Sequence, residues 1–182
     1  SQGARLILAD NGSTDGSVTW VRSACPSVEV IELGRNLGFA GGYNAALERV
    51  STDLFVLLNS DVEVTPGWLD ALRQCLDADA GMAACQPKVL SQREPGRFEH
   101  AGAAGGFIDR NGYPFCRGRI FEITEQDHGQ YNDERAVFWA TGACMMVRAD
   151  AFRSVGGFDV SLFAHMEEID LCRRLRRQGR RG

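Results

Sequence analysis

Three times before Leu76 the chain repeats one pattern: a short apolar run, an abrupt polar turn, and then apolar residues spaced for one face of a helix. Leu6 to Ala9 runs into Asp10-Asn11-Gly12, Val28 to Leu33 into a glycine-rich turn, and Asp53 to Leu58 into Asn59-Ser60-Asp61. Helical patterns follow at Thr14 to Ala24, with Ser13 or Thr14 as the cap, at Ala40 to Val50, and after Pro66, where Trp68, Leu69, Leu72 and Leu76 share a face. Such alternation predicts an α/β domain with a mixed, mostly parallel central sheet flanked by helices. In open sheets of that kind ligands bind beyond the carboxyl ends of the strands, where these polar turns fall.

Beyond the alternation, Pro87 to Arg135 is irregular, with Gly102, Gly105, Gly106, an Asn111-Gly112 turn signal and Pro114. A short antiparallel excursion with long loops is predicted there, the natural place for acceptor contacts. A fourth strand is predicted at Phe138 to Val147 and a last helix at Glu167 to Gln178. The whole of 1–182 reads as one domain, with 1–86 as a nucleotide-binding half and 87–182 as an acceptor-binding and catalytic half. The chain opens directly on a strand pattern and stops at Arg180-Arg181-Gly182 just after a helical one, so it reads as a fragment truncated at both ends.

With 44% apolar and 24% charged residues in 182, the chain has the material for an ordinary core. A formal charge of -4 disfavours a general nucleic-acid binder, whose affinity comes from neutralising many phosphates. The six cysteines form no CxxC pair, which favours buried, reduced thiols and a reducing compartment. No apolar run approaches a membrane span, and the expectation is a cytoplasmic protein.

Asp10, Asn11 and Ser13 stand at the end of a strand, where a carboxylate can accept from a base imide or a ribose hydroxyl; a tight turn before a helix demands the same residue types. Asn36, Gly38, Gly41 and Asn44 supply small residues and a helix amino terminus able to face a phosphate, although the spacing is not GxGxxG. Asn59, Asp61 and Glu63 bring polar groups suddenly to the end of the most apolar strand, and oxygen ligands there suit Mg²⁺ or Mn²⁺ shared with a diphosphate.

Taken together and in this order, these segments resemble the family 2 glycosyltransferases. Asp10 to Gly16 is similar to that family's first nucleotide motif, Asn36 to Asn44 to its N-x-G-x-x-x-G-x-N segment, and Asn59-Ser60-Asp61 to its DxD element, with Asn at the first position. Thr141-Gly142-Ala143-Cys144, Gly156-Gly157-Phe158-Asp159 and Glu167-Glu168-Ile169-Asp170-Leu171 resemble the acceptor-side strand, the following loop and the ED-containing helix of rhamnosyltransferase-like members. The resemblance implies a GT-A-type nucleotide-sugar-binding fold whose first strand lies upstream of Ser1. It implies inverting transfer of a sugar from a nucleoside-diphosphate donor to a hydroxyl of a glycan or lipid-linked acceptor, in cell-envelope polysaccharide or glycan synthesis, with Asp61 as metal ligand.

Glu168 stands where the family has Asp and is the expected base; Glu167 and Asp170 are its neighbours in the catalytic set. At helical spacing Glu168 aligns with Leu171, Cys172 and Leu175, pointing the apolar way, and Glu167 aligns with Asp170, Leu171 and Arg174. His165 precedes the pair by two residues. Six arginines from Arg173 to Arg181 form a solvated helix face or, alternatively, a patch for anionic lipid at the inner face of a membrane. The rival readings are a noncatalytic nucleotide-binding or interaction module and a nucleotidyltransferase. The carboxylate set of Asp10, Asp61 and Glu168 favours a transferase over the first, and the lack of a basic glycine-rich phosphate loop disfavours the second.

Overall fold

A computed structural model describes residues 3–181; the chain ends at Ser1 and Gly182 lie outside the described residues. The expected alternation is present: β1 (Ile7–Asp10), α1 (Ser17–Ala24), β2 (Glu29–Glu32), α2 (Gly38–Leu47), β3 (Leu54–Leu58) and α3 (Trp68–Ala78). After β4 (Ala84–Cys85) the irregular segment forms an antiparallel meander of β5 (Gly106–Ile108), β6 (Pro114–Cys116), β7 (Arg119–Ile120) and β8 (Ile123–Thr124). The chain then returns through β9 (Cys144–Arg148), the short α4 (Ala149–Ser154) and α5 (Glu167–Arg177).

The strand pairing is mixed, divided between a two-stranded and a three-stranded sheet, and less parallel than expected. β1 and β2 pair in parallel, whereas β9 runs antiparallel between β3 and β4, with Leu58 opposite Cys144 and Leu54 opposite Arg148. A late strand can enter beside β3 in that direction because its four residues Cys144 to Val147 are all buried and apolar, as a central strand requires. It also starts later than its apolar run suggests. Trp139 leaves the run to bridge Gly106, where a side-chain carbon would lie 2.0 Å from the indole ring, and Thr141 is buried under Gly102. Apolar content alone could not separate the bridge at Trp139 from the strand that follows it. The outer edges of β1 and β3 carry no hydrogen-bonded strand among the described residues, and α1 buries none of its residues.

The main core joins Phe55, Leu57, Met145 and Val147 of the central strands to Phe152, Phe158, Leu171, Cys172 and Leu175. α3 covers the other face through Leu72 and Leu76, packed with Cys85, Cys144 and Met146. All six cysteines are free; Cys85, Cys116, Cys144 and Cys172 are buried as expected, whereas Cys25 and Cys75 are half-buried. No helix among the described residues is long and apolar enough to cross a membrane.

Candidate active site

The first two motifs are stitched to each other. Asn11 Nδ2 donates to Asn36 Oδ1 at 3.1 Å and to the Gly38 carbonyl at 3.0 Å, while its Oδ1 accepts from the Leu37 amide at 2.9 Å. Asn36 Oδ1 also accepts from the Gly38 amide at 2.8 Å. Gly12 adopts φ +89 with the Arg35 backbone 2.8 Å from where a side-chain carbon would sit, so only glycine permits this crossing of loops. Gly42, absent from the sequence-derived candidates, packs against the Asn11 amide, whereas Gly41 faces Leu37 of its own turn.

Asp10 is 7% exposed, and its carboxylate accepts from the Gly12 amide at 3.2 Å and the Ser13 amide at 3.2 Å. The Ser13 hydroxyl and then these amides hold its carboxyl below the ordinary value against the effect of burial. Its oxygens therefore shape the turn, one of the two roles open to it from sequence. Asn44 bonds both ways with Phe158, donating to its carbonyl at 2.8 Å and accepting from its amide at 3.0 Å. That pair ties α2 to the Gly156-Gly157-Phe158 loop, far along the chain, and it too is a frame contact.

Helix α2 is the hub that gathers the remaining motifs. The Tyr43 hydroxyl donates to the Leu58 carbonyl at 3.3 Å, fixing α2 to the end of β3. At its amino terminus the Ala40 amide donates to the Phe163 carbonyl at 3.2 Å, and the Phe163 ring lies on Gly38. Phe163, His165 and Met166 all have positive φ, so the loop entering α5 is wound tightly against α2. The Asn59 amide donates to the Ala143 carbonyl at 3.0 Å, and the Ala140 amide to Cys172 Sγ of α5 at 3.5 Å. The end of β3, the Thr141 to Ala143 turn and the start of α5 thus border one region.

In that region two groups of carboxylates stay free of the frame. Asp61 is exposed and carries no hydrogen bond to another described residue, whereas Glu63 is held by Gln92 at 2.9 Å. No group of three or more metal-binding side chains exists among the described residues. One free carboxylate suits an ion that keeps waters and leans on substrate phosphates. At the start of α5, Glu167 and Glu168 each have a buried Oε2 without a hydrogen-bond partner. Desolvation pushes the Glu168 carboxyl up to about 7, with the Glu168 amide opposing and the charge of Glu167 adding to the rise.

The face assignment from sequence needs one correction: Glu167 is 5% exposed and turns inward with Glu168, because it shares its face with the fully buried Leu171 one turn on. Asp170 differs from both. It binds Arg174 at 2.6 Å and Arg173 at 3.1 Å, while Arg174 also donates to the Val155 carbonyl at 2.6 Å. Other arginines of the cluster are tied within the fold, Arg176 to the Val137 carbonyl, Arg180 to the Ala80 carbonyl and Arg181 to Asp79. Trp139 is 3% exposed and donates to the Phe107 carbonyl, so it serves packing, as does Tyr131 against Phe98.

The α/β elements that carry these carboxylates and loops form a GT-A-type fold. The family model described as Glycosyl transferase family 2 matches residues 2–156, and the chain belongs to that family. It is 30% identical over 192 residues to the N-acetylglucosaminyl-diphospho-decaprenol L-rhamnosyltransferase of Mycobacterium tuberculosis, covering 96% of this chain and 61% of that protein. The GT-A fold is shared with the crystal structure of GalNAc-T7 with UDP, GalNAc and Mn²⁺, at TM-score 0.70 and 14% identity over 98% of this chain and 35% of that one. It is also shared with the mannosyltransferase PcManGT from Pyrobaculum calidifontis in complex with GDP-Man and Mn²⁺, at TM-score 0.62 and 18% identity over 97% and 44%.

Proposed function

We propose that this chain carries the donor-binding and base-bearing parts of an inverting glycosyltransferase. It moves a sugar from a nucleoside-diphosphate donor to a hydroxyl of a glycan or lipid-linked acceptor, in building a cell-envelope polysaccharide or other glycan. Residues 1–86 serve the donor and 87–182 the acceptor. The observation that carries this reading is the desolvated Glu168 carboxylate, with a free Oε2 and a pKa near 7, on the helix wound against the donor loops. The relative named as an L-rhamnosyltransferase supports the transfer chemistry.

Asp61 would hold Mg²⁺ or Mn²⁺, and the ion, when bound, stabilises the negative charge of a departing nucleoside diphosphate. The solved structures containing nucleotide or nucleotide sugar with Mn²⁺ support that choice. The frame built by Asp10, Asn11, Asn36 and Asn44 fixes the donor loops before any ligand arrives, so orientation costs less on binding. Glu168 takes the proton from the acceptor hydroxyl as the new bond forms to the anomeric carbon. The charge of Glu167 raises its neighbour's affinity for that proton, and Asp170, through Arg174, holds the first turn of α5 in place.

The test is a thermal-shift screen of the full-length protein against UDP, GDP and dTDP sugars with and without Mn²⁺, followed by product detection with the donor that stabilises it. A metal-dependent shift with one nucleotide class is expected. If no donor shifts the protein, the noncatalytic reading replaces this one.

A further inference from the structure

Three cations of the meander and its flanking loops have carboxylate partners: Lys88 pairs with Asp127 at 2.6 Å, Arg117 with Asp133 at 2.9 Å and Arg97 with Glu94 at 3.1 Å. Arg119 on β7 is half-buried and has no such partner among the described residues. Its Nε is buried without an acceptor, its contact to the Phe121 carbonyl at 3.5 Å is long, and Nη2 donates to Cys116 Sγ at 3.6 Å. Its Nη1 lies 3.2 Å and 3.4 Å from the two ring nitrogens of His100. Two acids stand beside this pair: Glu122, 3.4 Å from His100 Nε2 but 91% exposed, where an ion pair contributes little, and Glu99, whose Oε1 accepts from the His100 backbone amide at 2.7 Å. A partly desolvated guanidinium with spare donors beside an imidazole is a site short of an anion.

The location ties this pair to the proposed base. Cys116, against which Arg119 leans, pairs with Gly106 of β5, and Gly106 bridges Trp139. The next residue, Ala140, donates to Cys172, one turn beyond Glu168 on α5. Burial foremost raises the Cys116 thiol, while Arg119 lowers it and the charge of Glu168 raises it, so both charges bear on this one sulfur.

We propose that Arg119 and His100 form a subsite for a phosphate group carried by the acceptor, beside the base on the acceptor side. This rests on the transferase reading and sharpens it, because it sets the acceptor apart from neutral glycans. Arg119 supplies a planar pair of donors to the phosphate oxygens, and the adjoining His100 ring supplies a further N–H. Glu122 swings into solvent when the anion arrives, which its exposure allows. The exposed Ile120 and Ile123 on the same hairpin leave room for either a free sugar phosphate or a phosphate with an apolar tail.

The experiment uses the full-length protein, its donor, and one acceptor sugar presented as a methyl glycoside, a 1-phosphate and a prenyl diphosphate ester. Arg119→Gln is expected to raise KM for the phosphorylated acceptors on the order of tenfold, leaving the methyl glycoside and donor affinity unchanged, with Arg119→Lys in between. Preference for the 1-phosphate or the prenyl ester tells a free phosphate from a lipid-linked one. Equal effects on charged and neutral acceptors, or no effect on any, overturn the subsite. A titration with inorganic pyrophosphate, followed by NMR of the His100 ring, gives a readout independent of transfer. A wild-type shift that Arg119→Gln abolishes supports the subsite even if every acceptor is refused, an outcome that instead removes the transferase reading. No shift in the wild type overturns it.

Discussion

The loops around Asp10 and Asn36 and the first turn of α5 are both dense in polar side chains, and they dispose of them in opposite ways. In the loops, Asp10, Asn11 and Asn36 make their hydrogen bonds to backbone and to each other. At α5, Glu167 and Glu168 each bring one oxygen, Oε2, out of water and leave it unpaired. An unpaired buried carboxylate costs stability, so its persistence beside a satisfied frame points to chemistry. Motif residues in this chain therefore divide into those that build the site and those that act in it.

The sharpest way to break this comparison is Glu168→Gln. It keeps the shape and removes the base, so turnover in the full-length enzyme should fall on the order of 100-fold or more with donor affinity unchanged. Near-normal turnover in a steady-state assay, with Glu167→Gln inactive instead, would move the base by one residue. In the parent enzyme the rate should rise with pH through about 7 as Glu168 ionises.

The same carboxyl links stability to pH. Its folded value of about 7 lies above the ordinary 4.5, so the folded chain retains a proton that the unfolded chain releases between those values. Its cost is absent below 4.5, grows as pH rises through that window, and is complete above 7. Urea melts should find Glu168→Gln more stable than the parent above pH 7, by up to about 3 kcal/mol, and equal to it below 4.5. A constant difference across the window would show that Glu168 is solvated.

On the framing side, Asn44→Ala leaves the Phe158 amide and carbonyl without their partner and should lower stability by about 2 kcal/mol, read as a lower urea midpoint at unchanged m-value. Asp61→Ala should do the reverse, weakening Mn²⁺-dependent donor binding by about tenfold in calorimetry while shifting stability by less than about 0.5 kcal/mol. If Asn44→Ala cost only donor binding, or Asp61→Ala only stability, the division between frame and chemistry would fail.

Much of this site was legible in the residues. Strand-end turns at Asp10 and Asn59 are visible because apolar runs stop abruptly, and the buried face of α5 is visible in Leu171, Cys172 and Leu175. Arg119 gave no such signal, since it lies on a meander whose strands are two or three residues long and show no periodicity, and His100 is one of three histidines that residue type alone marks for phosphate or acceptor contacts without ranking them. Local sequence determined which segments are helix or strand and where polar turns interrupt them, because propensity and periodicity act over a few residues. Tertiary structure alone decided that β9 enters antiparallel beside β3, that Asp10 is buried against the amides of its own turn, and that Glu167 is buried beside a half-buried Glu168. Each of those outcomes depends on which distant surface covers a residue, and desolvation and hydrogen-bond competition are properties of the packed neighbours rather than of the chain's local order.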